Sequence, residues 1–181
     1  EKAHTHFAGF TPDERFIAVV DLGIDKVITY KIHNGVLEEV NSLSVAPGSG
    51  PRHLTFHPNG KFAYVMAELV PEVIVLSFDS QTGSFSELQT VRTVPEDFKE
   101  NNQGSAIHIS DDGRFIYAAN RGHDSIAVYE TNQETGKLAF VQLVSTEGHW
   151  PRDFSLDPSG KFLIASNDQS GNFTLYARNE H

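Results

Sequence analysis

The sequence has no cysteine among its 181 residues, which excludes disulfide bonds and cysteine nucleophiles. Basic residues are few. The 14 lysines and arginines stand against 24 acidic residues, and the net charge of -10 disfavours nucleic acid and anionic membranes as partners. No apolar run is long enough to cross a membrane, and residue 1 does not begin a signal peptide. We therefore expect a cytoplasmic protein, since an absence of cysteine is typical of reducing compartments.

The sequence does contain an internal repeat. An apolar run, a turn rich in Pro, Asp and Gly, a basic residue and a second apolar run occur together four times. Each copy has one anchoring phenylalanine, and the four anchors are spaced by 46, 53 and 47 residues: Phe16, Phe62, Phe115 and Phe162. The longer second spacing comes from an acidic loop at 95–103. A period of this size is typical of repeat architectures.

Each repeat predicts a small antiparallel sheet. Both apolar runs alternate with a period of two, and a third run rich in β-branched and aromatic residues follows them. Hairpin turns come next at Asn34-Gly35, Thr82-Gly83 and Thr135-Gly136, and a fourth run follows in the first three repeats. Four strands in about 45 residues make one blade of a β-propeller. We expect an all-β fold, a single partial propeller domain over 1–181, with blades near 4–47, 50–95, 104–146 and 150–181.

The fourth repeat ends after its third predicted strand. Propellers close with about four to eight blades, so we expect an incomplete portion of a larger ring. A four-bladed propeller that lacks one outer strand is the alternative. An incomplete ring exposes blade faces and strand edges, and we therefore expect self-association through the open blade faces.

Candidate site residues come from equivalent positions of the repeats that have unlike side chains. Ten residues before each anchor stand His6, Arg52, Ser105 and Arg152. Six residues after each anchor stand Leu22, Glu68, Arg121 and Asp168. Equivalent positions of blades lie at one height around one axis, so both sets should surround the central channel. Such a mixture suits a small anionic ligand, although each arginine could instead be a strut that binds loop carbonyls.

The histidines allow more than one interpretation. His4 and His6 are two apart on a predicted strand and should project to one face, towards the channel. A third metal ligand is missing at any recognisable spacing, so we expect no metal and no cofactor. His53 should point away from Arg52 and, like His57, bind turn backbone. Amides of the segment 48–50 could bind a phosphate.

Several motifs together resemble the seven-bladed β-propeller lactonase family. They are His4-Thr5-His6 with Phe10-Thr11-Pro12-Asp13, Gly50-Pro51-Arg52-His53, Gly104-Ser105-Ala106 with Asp112-Gly113-Arg114-Phe115, Asn120-Arg121 and Pro151-Arg152 with Asp157-Pro158. This family includes cycloisomerase-type 6-phosphogluconolactonases and fungal carboxymuconate cyclases. The resemblance implies about the C-terminal half of a seven-bladed ring, from a hydrolase of small anionic sugar lactones such as 6-phosphogluconolactone.

The resemblance also implies a metal-independent acid/base site formed by His6 or His4, Glu68, Arg52 and Arg121. We expect Glu68 to be the general base or acid and the histidine its proton-transfer partner. Arg52 and Arg121 would bind the anion and stabilise the developing oxyanion. Further substrate contacts are expected from His4, Ser105 and Arg152.

Two other functions fit the same pattern. One is a carboxymuconate cyclase, a lactone-forming isomerase whose substrate is also anionic. The other is a non-catalytic binding propeller, which the absence of any Trp-Asp dipeptide disfavours. Because blades that complete the channel are not in this sequence, we expect an active parent ring and an inactive chain on its own.

Overall fold

The computed structural model describes residues 2–179, which form fifteen β-strands and no helix. The first sheet contains β1 (Thr5–Phe10), β2 (Ile17–Asp21), β3 (Lys26–His33) and β4 (Val36–Ser44). The second contains β5 (Pro51–Phe56), β6 (Phe62–Ala67), β7 (Glu72–Asp79) and β8 (Ser84–Arg92). The third contains β9 (Gln103–Ile109), β10 (Phe115–Arg121), β11 (Ser125–Thr131) and β12 (Leu138–Ser145). The fourth has three strands, β13 (Pro151–Leu156), β14 (Phe162–Asn167) and β15 (Asn172–Ala177).

Every sheet is an antiparallel meander in which each strand pairs with the next one along the chain. The prediction of an all-β partial propeller with four-stranded antiparallel blades is therefore confirmed. Within residues 2–179, no helix exists that could span a membrane.

The core lies between neighbouring sheets. Since side chains alternate along a strand, the second and third sheets each pack one face on the preceding sheet and the other face on the following one. Residues of β6 are buried without exception, because sheets cover both faces of this strand. In β14 buried and exposed residues alternate, because only one face is covered.

Two of the anchoring phenylalanines pack on hairpin turns of the following sheet. Phe16 is 1% exposed and contacts the turn at Gly83, and Phe62 is 7% exposed and contacts the turn at Gly136. Phe162, by contrast, is 42% exposed. It lies on the last described sheet, where no following hairpin packs on it.

All four innermost strands contain a β-bulge near their N-terminal end. The register shifts at His6 in β1, at Arg52 in β5 and at Arg152 in β13. In β9 the shift falls at Ser105 and Ala106. A bulge bends the strand and re-aims a side chain. The four positions found by comparing the repeats are therefore also equivalent in backbone geometry.

Candidate active site

Glu68 lies directly after β6 and is paired with two arginines. Its Oε2 lies 2.8 Å from Arg52 Nε and 3.1 Å from Arg121 Nη2. Both arginine side chains are 4% exposed, and that of Glu68 is 18% exposed. Two guanidinium groups against one carboxylate leave one positive charge in excess. We call these three residues the anion clamp, because the excess charge attracts an anionic ligand.

Backbone carbonyls hold the clamp arginines in place. Arg52 Nη1 donates to the carbonyl oxygen of Ser105 at 2.8 Å, and Arg121 Nη2 donates to that of Gly104 at 2.6 Å. The backbone amide of Gly104 in turn donates to the carbonyl of Glu68 at 3.1 Å. The arginines therefore do act as struts, and the same contacts pre-organise them for a ligand.

The clamp keeps unused hydrogen-bonding capacity. The Nε atoms of Arg52 and Arg121 are buried and have no acceptor within residues 2–179. Nε of Arg52 lies close to Oε2 of Glu68, but its N–H is not directed at that oxygen. Buried donors of this kind are rarely left unpaired in folded proteins.

His6 lies beside the clamp at the bulge of β1. Burial lowers the pKa of His6 below 6.5, the charge of Arg52 lowers it further, and Glu68 opposes both effects. A lowered pKa keeps the imidazole mostly neutral near pH 7, ready to accept a proton. The role of His6 as proton-transfer partner stays a prediction.

His53 is also part of this group, which the sequence did not predict. Its Nε2 lies 3.1 Å from Arg52 Nη1, and its ring centroid lies 5.1 Å from that of His6. The prediction that His53 points away from Arg52 and binds turn backbone was wrong, because the bulge at Arg52 breaks the alternation of sides. Burial, followed by the charges of Arg52 and His6, lowers the pKa of His53 to about 4. Since arginine can only donate, Nε2 accepts and the ring proton is on Nδ1.

For His57 the prediction is right, because Nδ1 accepts a hydrogen bond from the Asn59 amide at 3.1 Å. The amides of the 48–50 segment are not free for a phosphate. Those of Gly48 and Gly50 each donate to the carboxylate of Asp25 at 2.8 Å. The Ser49 amide donates to the carbonyl of Ala46.

Three further predicted site residues lie in different surroundings. His4 is not beside His6 at the clamp and lines a separate shallow cavity with Leu22 and Leu69. Ser105 is fully buried, and its hydroxyl donates to the carbonyl of Pro151 at 2.7 Å, so its prediction as a substrate contact was wrong. Arg152 is exposed and shares a cavity with Arg52.

Trp150 is a site residue that the repeat comparison missed. The Arg121 guanidinium lies over the indole ring, 5.7 Å from its centroid. Trp150 has a φ of 64°, and Gly50, which precedes the equivalent Pro-Arg pair, has a φ of 61°. A bulky residue in the left-handed region is an outlier. The feature of the sequence that could have revealed this residue is a tryptophan at a position where the second repeat has Gly50.

Among residues 2–179 there is no group of three or more His, Asp or Glu side chains that could hold a metal ion. The chemistry that the arrangement itself supports is acid/base and electrostatic. Glu68 and His6 can move protons, and the arginines can stabilise negative charge that develops on an oxygen atom.

Comparison with known proteins gives one family for the whole chain. A family model described as "Lactonase, 7-bladed beta-propeller" matches residues 1–181. A 6-phosphogluconolactonase of Bacillus subtilis is 59% identical over 180 residues, which are 99% of this chain and 52% of that protein. The chain spans about half the length of the curated relatives it matches.

Solved structures agree with this result. A protein from Lactobacillus plantarum superposes with a TM-score of 0.95 at 42% identity, over 98% of this chain and 52% of the other. The Pseudomonas aeruginosa periplasmic gluconolactonase superposes with a TM-score of 0.92 at 34% identity, over 98% and 50%. These percentages state how much of each chain the superposition covers. The position of this chain within a ring and the residue limits of its blades stay predictions.

Proposed function

Because the chain belongs to the seven-bladed β-propeller lactonase family, we propose that the protein hydrolyses a small anionic sugar lactone such as 6-phosphogluconolactone. Similar proteins named 6-phosphogluconolactonase and gluconolactonase support this substrate class. The observation that carries the proposal is the anion clamp, in which a carboxylate and two buried guanidinium groups meet at one oxygen atom. A structural channel of a binding propeller has no need of such a group.

In the proposed reaction Glu68 activates a water molecule. Both arginines contact Oε2, and Oε1 then accepts the proton of the attacking water. The hydroxide oxygen bonds to the lactone carbonyl carbon, and the negative charge moves to the carbonyl oxygen. N–H groups of Arg52 and Arg121 stabilise this oxyanion.

Collapse of the tetrahedral intermediate breaks the ring C–O bond. The leaving oxygen takes up a proton, which Glu68 passes through His6, and the net reaction converts lactone and water into a hydroxy acid. His6 suits this transfer because its lowered pKa leaves the ring neutral and able to accept the proton.

The test compares the full-length protein with its Glu68→Gln variant, which keeps the shape of the side chain and removes the base. We expect hydrolysis of 6-phosphogluconolactone, corrected for the spontaneous reaction, to fall by about 10²- to 10⁴-fold. Glu134→Gln, an exposed carboxylate in the turn after β11, is the matched control and should keep full activity.

Full activity of Glu68→Gln would contradict the assigned role. If the wild-type protein hydrolyses no lactone, the proposed function is wrong. Turnover of a carboxymuconate in a parallel assay would then favour the cyclase. Assaying the 181-residue chain beside the full-length protein tests the expected need for further blades. A cytoplasmic location stays a prediction.

A further inference from the structure

A second cavity adjoins the anion clamp. It has a volume of about 330 Å³ and shares Arg52 and His53 with the site described above. Its other walls come from the fourth sheet: Arg152, Asp153, Ser166, Asn167 and Asp168. The side chain of Arg52 thus contacts Glu68 in the clamp and also lines this cavity. A ligand bound at the clamp can extend across Arg52 onto the fourth sheet.

The charges around this cavity differ from those of the clamp. The carboxylates of Asp153 and Asp168 and the guanidinium of Arg152 all line the cavity. Because the charge of Arg52 is already shared with Glu68, the cavity walls have no positive charge in excess. A phosphate or a second carboxylate would lie near two carboxylates that already share the guanidinium of Arg152, which is unfavourable.

The cavity walls contain both hydrogen-bond donors and acceptors. Arg152 can only donate and the two aspartates can only accept, while the Ser166 hydroxyl donates to the carbonyl of Asp153 at 2.9 Å and can still accept. Hydroxyl groups both donate and accept, so a chain of hydroxyls can satisfy all of these groups at once. Neither an apolar chain nor an anion does so.

Asn167 provides an independent observation. Its side chain is 2% exposed, and its Oδ1 has no hydrogen-bond donor within residues 2–179. In the third sheet the equivalent Asn120 Oδ1 accepts from Thr93 Oγ1 at 2.6 Å. For Asn167 the residue that matches Thr93 is Thr146, which follows β12. Its hydroxyl donates to the carbonyl of Asp124 instead. The fourth sheet thus keeps, beside the cavity, a buried acceptor whose hydrogen bond the third sheet satisfies.

We propose that this cavity is a subsite for the hydroxyl groups of the lactone ring, with Arg152, Ser166 and Asp168 as the residues that recognise them. The inference rests on the proposed function, because the clamp has to hold the lactone carbonyl. It goes further by giving the orientation of the substrate, with the carbonyl on the second sheet and the hydroxyls on the fourth. It also implies that any phosphate of the substrate lies outside this cavity.

The experiment uses the full-length protein and two lactones with the same ring. D-Glucono-1,5-lactone has hydroxyl groups, and δ-valerolactone has none. Arg152→Gln and Asp168→Asn should each lower kcat/KM for gluconolactone by about 10- to 100-fold, mainly through KM, because each removes hydrogen bonds to hydroxyls. Neither variant should change the hydrolysis of δ-valerolactone. Arg92→Gln and Asp111→Asn are exposed, charge-matched controls outside the cavity and should change neither rate.

Two outcomes overturn the subsite while the clamp stands. One is an unchanged kcat/KM for gluconolactone in both variants, and the other is an equal loss for both lactones. The Glu68→Gln variant separates the two proposals, because it should abolish hydrolysis of both lactones. If the wild-type protein hydrolyses neither, the assay with 6-phosphogluconolactone still tests the proposed function, and equilibrium binding of gluconate and 5-hydroxyvalerate decides about the subsite. Equal affinities would then overturn it.

Discussion

Trp150 shows how a single residue can be strained next to a site. Its left-handed backbone, which Gly50 adopts at the matching place, costs a tryptophan about 1 to 3 kcal/mol. The cation–π contact between the indole ring and Arg121 contributes about 1 kcal/mol and so offsets part of this strain. The contact also fixes the plane of the guanidinium. The strain therefore lies at the residue that helps to orient the clamp.

His53 makes the stability of the protein dependent on pH. Its pKa is about 4 in the folded state and 6.5 without the fold, mainly because of burial and then because of Arg52. As the pH falls from 6.5 towards 4, His53 therefore becomes protonated in the unfolded state but not in the folded state. By linkage, the free energy of unfolding decreases through this window and levels off below it.

We expect this contribution to be roughly 1 to 2 kcal/mol, less than the full pKa difference implies, since solvent screens a partly exposed imidazole. Urea unfolding of the wild type and of His53→Gln at about pH 7 and about pH 4.5 measures it. The variant should lose less stability on acidification. The other groups that act on His53, namely Arg52, His6, Asp153 and His108, are present in both proteins. An identical loss in both would contradict the prediction.

At the scale of elements, hairpin turns of one sheet pack against the neighbouring sheet. Gly136, in the turn between β11 and β12, has a φ of 72°, and a Cβ atom there would collide with the ring of Phe62. Gly35, in the shorter turn between β3 and β4, has a φ of 78°, and a Cβ atom there meets nothing within 4 Å. Both glycines thus have a left-handed backbone, but only Gly136 contacts a neighbouring sheet.

Replacing each glycine by alanine separates backbone strain from packing between sheets. Gly35→Ala should lower the free energy of unfolding by about 1 kcal/mol, the cost of a left-handed alanine. Gly136→Ala should lower it by about 2 to 4 kcal/mol, because the methyl group also displaces a buried phenylalanine. Chemical denaturation of both variants gives the difference. Equal losses would show that the turn does not stabilise the contact between sheets.

The same elements show how far sequence could predict this molecule. The strands, the turns and the meeting of Arg52, Glu68 and Arg121 follow from the repeat, since equivalent residues occupy equivalent places. His53 and Ser105 could not be placed, because a bulge inserts one residue and breaks the rule of alternating sides. The burial of Phe162 could not be judged either, because it depends on whether another sheet packs on the fourth one.

At the scale of the whole molecule, the fourth sheet presents an apolar face. Phe173 is 73% exposed and Leu175 is 62% exposed, and Phe162 and Ile164 lie on the same face of the sheet. Free apolar faces of this kind usually mark an interface. The free edge of β15 adds unpaired backbone groups to the surface.

We therefore expect the 181-residue chain to self-associate through this face. Light scattering should give a mass above that of the monomer, which rises with concentration. Phe173→Lys should shift the chain towards monomer, because a charge on the face disfavours its burial. Leu88→Lys, on the outer strand β8 of the second sheet, should not. A monodisperse wild-type monomer would contradict the expectation.

The four bulges have a consequence for how such proteins diversify. Each innermost strand places one side chain at the same height and with the same local backbone, whether that residue is His6, Arg52, Ser105 or Arg152. Three of these positions place their side chains at the clamp or at the cavity beside it, and the fourth, Ser105, buries its side chain between sheets. A substitution at one of the three changes the chemistry of the site while the bulge keeps the backbone, so the site can be diversified, by evolution or by protein engineers, one blade at a time.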